Sequence, residues 1–240
     1  MLNWPKPSTS AATVIFDLDG TIADTAGDLI NAANAALISE GFPPAPAEAI
    51  KKGVGYGSKA MLQSGLSALG HEADATQLQR LAGRLVANYE ENIAVETRLY
   101  PGFEEAALNL HNSGAKLLLC TNKWEKLTWR LLSALGVATL FDAVAGRGTF
   151  PFHKPDPRHI TELIRIAGGK LNTSLMVGDS EADVEAARGA GIPVIVTAFG
   201  YAANPAGTLG ADGVMTHFGE LPAMIEAWLP KSVLAMENEA

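Results

Sequence analysis

Residues 13–21 read TVIFDLDGT, an uninterrupted apolar run that is followed at once by two aspartates and a glycine. A short apolar run of this kind is typical of a strand that a parallel sheet buries on both faces. In an open parallel sheet, ligands bind at the carboxyl ends of the strands. We therefore expect Asp17 and Asp19 to lie at the ligand-binding edge of an α/β protein.

Similar apolar runs alternate with helical patterns along the rest of the chain. The candidate strands are Thr13–Asp17, Lys116–Thr121, Ser174–Gly178 and Pro193–Thr197. The candidate helices between the later strands are Glu104–Asn112, Glu125–Leu135, Arg158–Ala167 and Ala182–Ala190. Each helical pattern is followed closely by a glycine, which is typical of a helix C-cap. The alternation predicts a doubly wound, Rossmann-like parallel sheet.

The stretch from about residue 23 to residue 97 departs from this alternation, because it contains no convincing buried strand. Its helical patterns are Asp24–Glu40, Ala47–Lys52, Ser58–Leu69 and Ala75–Asn92. A helical block of this length is far longer than an ordinary crossover connection. The sequence therefore predicts a helical cap over 23–97. It is inserted into an α/β core made of 11–22 and 98–229, with loose termini at 1–10 and 230–240.

The composition excludes several classes of protein. Lys and Arg total 18 against 26 Asp and Glu, the formal net charge is −8, and basic residues form no cluster. Such a chain lacks the charge to bind nucleic acids or anionic membranes, and no apolar run is long enough to span a bilayer. The single cysteine, Cys120, fits a reducing compartment. We expect a soluble, cytoplasmic protein that binds neither nucleic acid nor membrane, with His71, His111, His159 and His217 exposed.

A second acidic cluster, GDSEAD at 178–183, begins where the candidate strand Ser174–Gly178 ends. Because parallel strands end at the same edge of a sheet, we expect Asp179 and Asp183 to share a crevice with Asp17. Turn chemistry would explain either cluster alone, but two clusters at predicted strand ends favour a functional site. Converging carboxylates repel one another unless a cation lies between them. Mg²⁺ is the expected cation, because it prefers oxygen ligands.

Three further polar residues occupy comparable positions. Thr121 and Asn122 end the predicted strand Lys116–Thr121, and Lys154 lies in the loop FHKPDP at 152–157, which leads into a predicted helix. A hydroxyl, the backbone amides after it and an ammonium are the groups that bind a phosphoryl group. Each of these residues alone is typical of an N-cap or of the solvated surface. Their order among the strands favours a phosphate site.

Taken in order, DLDGT at 17–21, Thr121-Asn122, Lys154-Pro155 and GDSEAD at 178–183 resemble the four motifs of the haloacid dehalogenase superfamily. The helical insertion after the first motif is similar to the C1-type cap of subfamily I of that superfamily. The resemblance implies an α/β core with a helical cap, and it extends over roughly residues 13–220.

Three segments resemble phosphoglycolate phosphatases in particular. They are VGYG at 54–57, TNK at 121–123 and KPDP at 154–157. One segment departs from that pattern: GRG at 146–148 stands where those enzymes usually carry a Gly-Asp pair before the lysine motif. The departure concerns the choice of substrate rather than the class of reaction.

The resemblance implies a role for each motif residue. Asp17 would be the nucleophile that forms an aspartyl-phosphate, and Asp19 would be the general acid and base. Gly20 would permit the chain to turn directly after these two carboxylates. Thr121 and Asn122 would bind phosphate oxygens. Lys154 would offset the negative charge between the nucleophile and the phosphate.

The metal ligands and the cap contacts are implied in the same way. Mg²⁺ would be bound by Asp17, by the backbone carbonyl of Asp19 and by Asp179, with Asp183 as a further support. The cap loop would contribute substrate contacts from Gly55, Tyr56 and Gly57.

The implied function is Mg²⁺-dependent hydrolysis of a small phosphomonoester, with 2-phosphoglycolate giving glycolate and phosphate as the expected case. One alternative is a mutase similar to β-phosphoglucomutase, which would return the phosphoryl group to a sugar. A less favoured alternative is a non-catalytic protein that binds a partner on a phosphatase scaffold. The small phosphomonoester is the expected partner, and we expect the chain to be a monomer or a homodimer.

Overall fold

The central feature of the molecule is a parallel sheet, and the computed structural model describes residues 12–229. The predicted loose termini, 1–10 and 230–240, lie outside the described residues, as does residue 11. The strands are β1 (Thr13–Phe16), β2 (Ala23–Asp24), β3 (Arg98–Leu99), β4 (Lys116–Trp124), β5 (Ala143–Arg147), β6 (Ser174–Gly178), β7 (Val194–Thr197) and β8 (Gly213–Met215). Six of them form one sheet in the order β5-β4-β1-β6-β7-β8, and every neighbouring pair is parallel.

Helices cover both faces of this sheet. They are α1 (Ala26–Ser39), α2 (Ala47–Lys51), α3 (Ser58–Ala68), α4 (Ala75–Glu91), α5 (Phe103–Asn112), α6 (Glu125–Ala134), α7 (Arg158–Ile166), α8 (Glu181–Ala190) and α9 (Leu221–Trp228). On one face, Phe103 of α5 packs edge-on against Phe16 of β1 at 5.6 Å and against Phe218 at 5.3 Å between ring centroids. On the other face, Ile15 of β1 belongs to an apolar cluster with Ile160 of α7 and residues of α8. The predicted doubly wound α/β fold is therefore confirmed.

The predicted strands are present, but two strands of the sheet were not predicted. Those two, β5 and β8, are the edge strands of the sheet. An edge strand is covered on fewer sides, so its sequence need not be a continuous apolar run. Accordingly, Arg147 at the end of β5 and Val214 of β8 are exposed. The strand β4 is also longer than predicted, with a shift of register between Cys120 and Trp124.

Helices α1 to α4 form the block that follows the first strand. Helix α1 packs mainly on α4, and α3 packs on both α4 and α2. The chain passes between this block and the sheet through β2 and β3, which pair antiparallel with Ala23 opposite Leu99. The buried carboxylate of Asp28 in α1 accepts hydrogen bonds from the Glu96 N–H (2.9 Å), the Thr97 N–H (2.9 Å) and the Thr97 hydroxyl (2.7 Å). The two connections are therefore bound to each other at the base of the cap.

The expectation that His159 is exposed is wrong. Its side chain is fully buried and packs edge-on against Phe150, with 6.0 Å between ring centroids. His159 lies on α7 beside Ile160, and its face of the helix is the one that packs on the sheet. Among the described residues, no helix combines the length and the apolar character that crossing a membrane requires.

Candidate active site

The turn after β1 places its two aspartates at the carboxyl edge of the sheet. Leu18 O accepts hydrogen bonds from the N–H groups of Thr21, Ile22 and Ala23, so the chain reverses immediately after Asp17. Gly20 has a φ of +79°, which is strained for any residue with a side chain. A Cβ atom at this position would lie 2.3 Å from Oδ2 of Asp179. Glycine is therefore required here for both its backbone conformation and its size.

Three carboxylates meet at the bottom of this edge. Asp17, Asp179 and Asp183 are all buried, and each has an oxygen within 4.8 Å of the others. Burial raises the pKa of Asp17 to about 6, although the nearby Lys154 acts in the opposite direction. Burial, together with the charges of Asp183 and Asp17, also raises the pKa of Asp179. An all-oxygen, mutually repelling set of ligands fits a hard divalent cation such as Mg²⁺.

Asp183 differs from the other two because both of its carboxylate oxygens accept hydrogen bonds within the protein. Its Oδ1 accepts from Lys154 Nζ at 2.6 Å, and its Oδ2 accepts from the Asp179 N–H, the Ser180 N–H and the Ser180 hydroxyl at 3.1, 3.0 and 2.7 Å. Asp183 thus closes the N-terminus of α8 as part of a capping box. In this arrangement Asp183 orients the loop that carries Asp179, and Asp17 and Asp179 are the carboxylates better placed to bind a cation directly.

Lys154 supplies positive charge to the cluster. Its side chain is 1% exposed, and Nζ lies 2.9 Å from Oδ1 of Asp17 as well as 2.6 Å from Asp183. Burial alone would lower the pKa of Lys154, but the charges of Asp17 and Asp183 outweigh it and raise that pKa. The Asn122 side chain holds the loop in place, because its Nδ2 donates to the Lys154 carbonyl at 2.9 Å. Lys154 is therefore fixed in its charged form beside Asp17.

Asp19 lies away from this cluster and has its own partners. Lys123 Nζ donates to both of its carboxylate oxygens, at 2.8 and 3.0 Å, and the Thr25 hydroxyl donates to Oδ1 at 2.7 Å. Lys123 is almost fully buried and also lies 4.6 Å from the ring centroid of Tyr89, which belongs to the cap helix α4. The sequence analysis included Lys123 in the TNK segment but did not predict its contact with Asp19. The position of Lys123 directly after the predicted phosphate-binding residues Thr121 and Asn122 was the one sequence feature that indicated a place in the site.

A cleft of about 100 Å³ opens above these residues, between the core and the helical block. Core residues Asp17, Asp19, Thr121, Asn122 and Lys154 all line it. Asp179 and Asp183 lie beneath the cleft with the carboxylate cluster. The structure thus brings the predicted motif residues of the core together at one place.

Two of the three cap residues predicted to contact the substrate line the cleft, and the third does not. Gly55 and Gly57 line the cleft, whereas Tyr56 between them is 62% exposed and does not line it. The Tyr56 hydroxyl instead donates a 3.2 Å hydrogen bond to Oε2 of Glu181, the first residue of α8. Tyr56 therefore connects the cap loop to the core at the rim of the cleft.

Comparisons with known proteins agree with this geometry. The chain is 41% identical over 213 residues to a phosphoglycolate phosphatase of Caulobacter vibrioides, covering 89% of this chain and 90% of the relative. It is 39% identical over 212 residues to a phosphoglycolate phosphatase of Mesorhizobium japonicum, covering 88% and 93%. A crystal structure of a predicted phosphoglycolate phosphatase from Haemophilus somnus superposes with a TM-score of 0.83 at 27% identity, covering 90% and 98%.

These similarities and the site define the class of protein: the chain is an enzyme that hydrolyses phosphomonoesters. A sequence profile described as haloacid dehalogenase-like hydrolase matches residues 14–197, and the chain belongs to this family. The matched range begins in β1 and ends at the last residue of β7, so it contains all four motifs and the helical insertion.

Proposed function

We propose that the protein hydrolyses a small phosphomonoester through an aspartyl-phosphate on Asp17, with Mg²⁺ as cofactor and 2-phosphoglycolate as substrate. The observation that carries the proposal is that Asp17 and Asp19 lie at different places in the site and contact different residues. Asp17 is buried beside Asp179 and 2.9 Å from Lys154, whereas Asp19 is held at the cleft by Lys123 and Thr25. This separation supports Asp17 as the carboxylate that attacks phosphorus and Asp19 as the carboxylate that exchanges a proton.

The residues of the chain account for both halves of the reaction. A carboxylate oxygen of Asp17 attacks phosphorus, the bond from phosphorus to the ester oxygen breaks, and the leaving alkoxide takes a proton from Asp19. Asp19 then takes a proton from a water molecule, whose oxygen attacks the same phosphorus. This second step releases inorganic phosphate and restores Asp17.

Positioning and charge neutralisation contribute most of the catalysis in phosphoryl transfer. Lys154 reduces the repulsion between Asp17 and the incoming phosphate, and Thr121 with the Asn122 amide would bind the phosphate oxygens. Asp17, the backbone carbonyl of Asp19 and Asp179 would hold the Mg²⁺. When bound, Mg²⁺ supplies further positive charge against the phosphate and orients Asp17. Closure of the apolar cap over the cleft would exclude bulk water.

Two observations, the names of the relatives and the size of the cleft, support 2-phosphoglycolate as the proposed substrate. Both sequence relatives described above carry the name phosphoglycolate phosphatase. A cleft of about 100 Å³ between core and cap suits a compact ester rather than a polymer. The other expectations, a cytoplasmic location and a monomer or homodimer, stay predictions. Light scattering after size-exclusion chromatography would decide the oligomeric state.

The decisive experiment measures kcat/KM for 2-phosphoglycolate, p-nitrophenyl phosphate and β-glucose 1-phosphate, with and without added Mg²⁺. We expect Mg²⁺-dependent release of phosphate, with 2-phosphoglycolate preferred. The variant Asp17→Asn is the control: it should fold but lose several orders of magnitude in kcat, because the covalent nucleophile is removed. Conversion of β-glucose 1-phosphate to its isomer in the presence of the sugar bisphosphate, which supplies the phosphoryl group, would instead indicate the mutase alternative, and an active Asp17→Asn variant would exclude the proposed nucleophile.

A further inference from the structure

The cleft contains one cationic side chain that the proposed chemistry does not use. Three cations line it: Lys123, Lys154 and Arg147. Lys154 is paired with Asp17, and Lys123 is paired with Asp19. Arg147 makes no ion pair with any residue in the range 12–229. Its charge is therefore available to a ligand.

The backbone around Arg147 fixes this residue at the rim of the cleft. Arg147 is the last residue of β5 and pairs with Trp124, the last residue of β4. Gly146 allows the two strand ends to approach, because a Cβ atom there would lie 2.6 Å from the Cα of Glu125. The next residue, Gly148, has a φ of +101° and turns the chain away. The rim is thus built on two adjacent strand ends rather than on a free loop.

The side chain of Arg147 is also held before any ligand binds. Its guanidinium lies over the indole of Trp124, with 5.2 Å from Cζ to the ring centroid. A cation over an aromatic ring is attracted to it, which favours this position of the guanidinium. The edge of a stacked guanidinium can still donate two parallel hydrogen bonds to a carboxylate.

The cap supplies no competing charge to the cleft. Its lining side chains are uncharged and mostly apolar, among them Leu29, Val54, Met61, Leu85, Val86 and Tyr89. The non-phosphoryl end of a substrate therefore contacts the apolar cap residues above the cleft. At the rim it also meets Arg147, which among residues 12–229 is the one cation lining the cleft without a carboxylate partner. An anionic group at that end would be poorly solvated under the roof unless it reached Arg147.

We propose that Arg147, stacked on Trp124, is a specificity-determining residue that binds a carboxylate at the non-phosphoryl end of the substrate. The proposal rests on the proposed function and adds to it the class of substrate: phosphomonoesters that carry a second, carboxylate charge. Arg147 takes no part in the transfer of the phosphoryl group, since Lys154 and the carboxylate cluster occupy that end of the cleft. Its contribution is to binding, and it appears in KM rather than in kcat.

The test compares 2-phosphoglycolate with ethyl phosphate, which has a methyl group in place of the carboxylate. In the variant Arg147→Ala we expect KM for 2-phosphoglycolate to rise by about tenfold or more, the effect of losing a charged hydrogen-bonding partner, with kcat nearly unchanged. KM for ethyl phosphate should stay the same. Arg147→Lys should recover only part of the loss, because an ammonium cannot bind a carboxylate bidentately. Arg165→Ala is the matched control, since Arg165 is an exposed arginine that pairs with Glu162 and does not line the cleft.

The possible outcomes separate this proposal from the proposed function. Equal changes for the two substrates, or no change for either, would overturn the role of Arg147 while leaving the phosphatase activity established. A wild-type protein that prefers ethyl phosphate would overturn the carboxylate class in the same way. A wild-type protein that hydrolyses neither ester would overturn the proposed function itself, and the role of Arg147 with it.

Discussion

The hydroxyl of Tyr201 donates a 2.5 Å hydrogen bond to Oδ1 of Asp24, at the first connection between core and cap. The same hydroxyl oxygen accepts hydrogen bonds from the Thr25 N–H at 2.6 Å and the Ala26 N–H at 3.0 Å. These N–H groups lie at the start of α1, where a helix leaves its first donors without partners. The backbone N–H of Tyr201 donates to Oδ2 of Asp179 at 2.6 Å. A single residue of the core therefore contacts both the first connection to the cap and the carboxylate cluster.

Replacement of Tyr201 by phenylalanine should loosen the connection between core and cap and leave the carboxylate cluster intact. The ring and the backbone N–H to Asp179 remain. The Thr25 N–H loses its acceptor, and the Ala26 N–H keeps only a 3.3 Å hydrogen bond to Oδ1 of Asp24. We expect the free energy of unfolding to fall by about 1–3 kcal/mol, the cost of unsatisfied buried donors. Urea denaturation measures this change, and Mg²⁺ titration should give an unchanged affinity.

A matched control is available in Tyr100→Phe. The Tyr100 hydroxyl donates a 3.3 Å hydrogen bond to the carbonyl of Phe199 and also contacts Tyr201, but the N–H groups of Thr25 and Ala26 do not donate to it, and so the loss should be smaller. Equal destabilisation by the two variants would contradict the role given to Tyr201 at the connection between core and cap.

Gly20→Ala should disable the site through the position of Asp179. A methyl group at Gly20 would lie 2.3 Å from Oδ2 of Asp179, and the φ of +79° adds strain of about 1–2 kcal/mol. We expect a loss of at least about a hundredfold in kcat/KM and a higher Mg²⁺ requirement, because a misplaced ligand weakens both. Gly70→Ala is the control: its φ is +75°, but no atom lies within 4 Å of the added Cβ.

Comparison of the two variants separates the effect of backbone strain from the effect of displacing Asp179. Both variants place alanine in the left-handed region and should lose stability in thermal unfolding, and Gly20→Ala should lose more because its methyl group also displaces Asp179. Only Gly20→Ala should lose activity. If Gly70→Ala lost as much activity as Gly20→Ala, the loss would come from strain rather than from Asp179.

Acidification should destabilise the protein through His159. Burial, with a further contribution from the charge of Lys154, lowers the pKa of His159 to about 4, whereas an unfolded histidine titrates near 6.5. Between these values the unfolded chain binds a proton that the folded chain does not, so folding stability falls as the pH falls from 6.5 towards 4. The size of this effect is at most about 3 kcal/mol.

The measurement is urea unfolding of the wild type and of His159→Phe at pH 7 and pH 5. Asp17, with its raised pKa of about 6, contributes in the opposite direction, because its folded form binds the proton more tightly. Subtracting the free energy of unfolding of the wild type from that of the variant therefore isolates the contribution of His159. This difference should favour the variant more at pH 5 than at pH 7. His111→Gln, on the exposed face of α5, should follow the wild type at both pH values.

The sequence predicted those parts of the fold whose burial leaves a local pattern. Strands β1 and β6 are in the interior of the sheet, and their residues are buried throughout, so they appear as continuous apolar runs. The edge strands β5 and β8 are only partly buried, and their short sequences AVAGR and GVM carry no such run. His159 was misjudged for a related reason: a single polar residue on a helix gives no sign of which way it faces.

The same distinction applies to the candidate site. Asp17, Asp19 and Asp179 follow predicted strands directly, and so the topology alone places them at one edge. Tyr201 and Tyr89 reach the site from elements far away along the chain, and their contacts depend on how the cap packs on the core. A tyrosine in a loop or in an amphipathic helix has no local pattern that distinguishes such a contact from ordinary packing.

Lys123 gives the sharpest test of the acid–base role of Asp19. Lys123 Nζ contacts both oxygens of Asp19, at 2.8 and 3.0 Å, and it is buried against Tyr89 of the cap. Lys123→Met keeps the length and packing of the side chain but leaves Asp19 with Thr25 as its remaining side-chain partner. We expect kcat for 2-phosphoglycolate to fall by about a hundredfold, the usual contribution of a positioned general acid.

The leaving group decides whether this loss acts through Asp19. An alkoxide must be protonated as it leaves, whereas p-nitrophenolate is stable without a proton. Under single-turnover conditions, Lys123→Met should therefore release p-nitrophenolate at nearly the wild-type rate while its reaction with 2-phosphoglycolate is slow. Lys126→Met serves as the control, because Lys126 is exposed and pairs with Glu90 at the surface, where an ion pair contributes little. Equal losses on both substrates would mean that Lys123 acts on the phosphate or on the fold, and not by positioning Asp19.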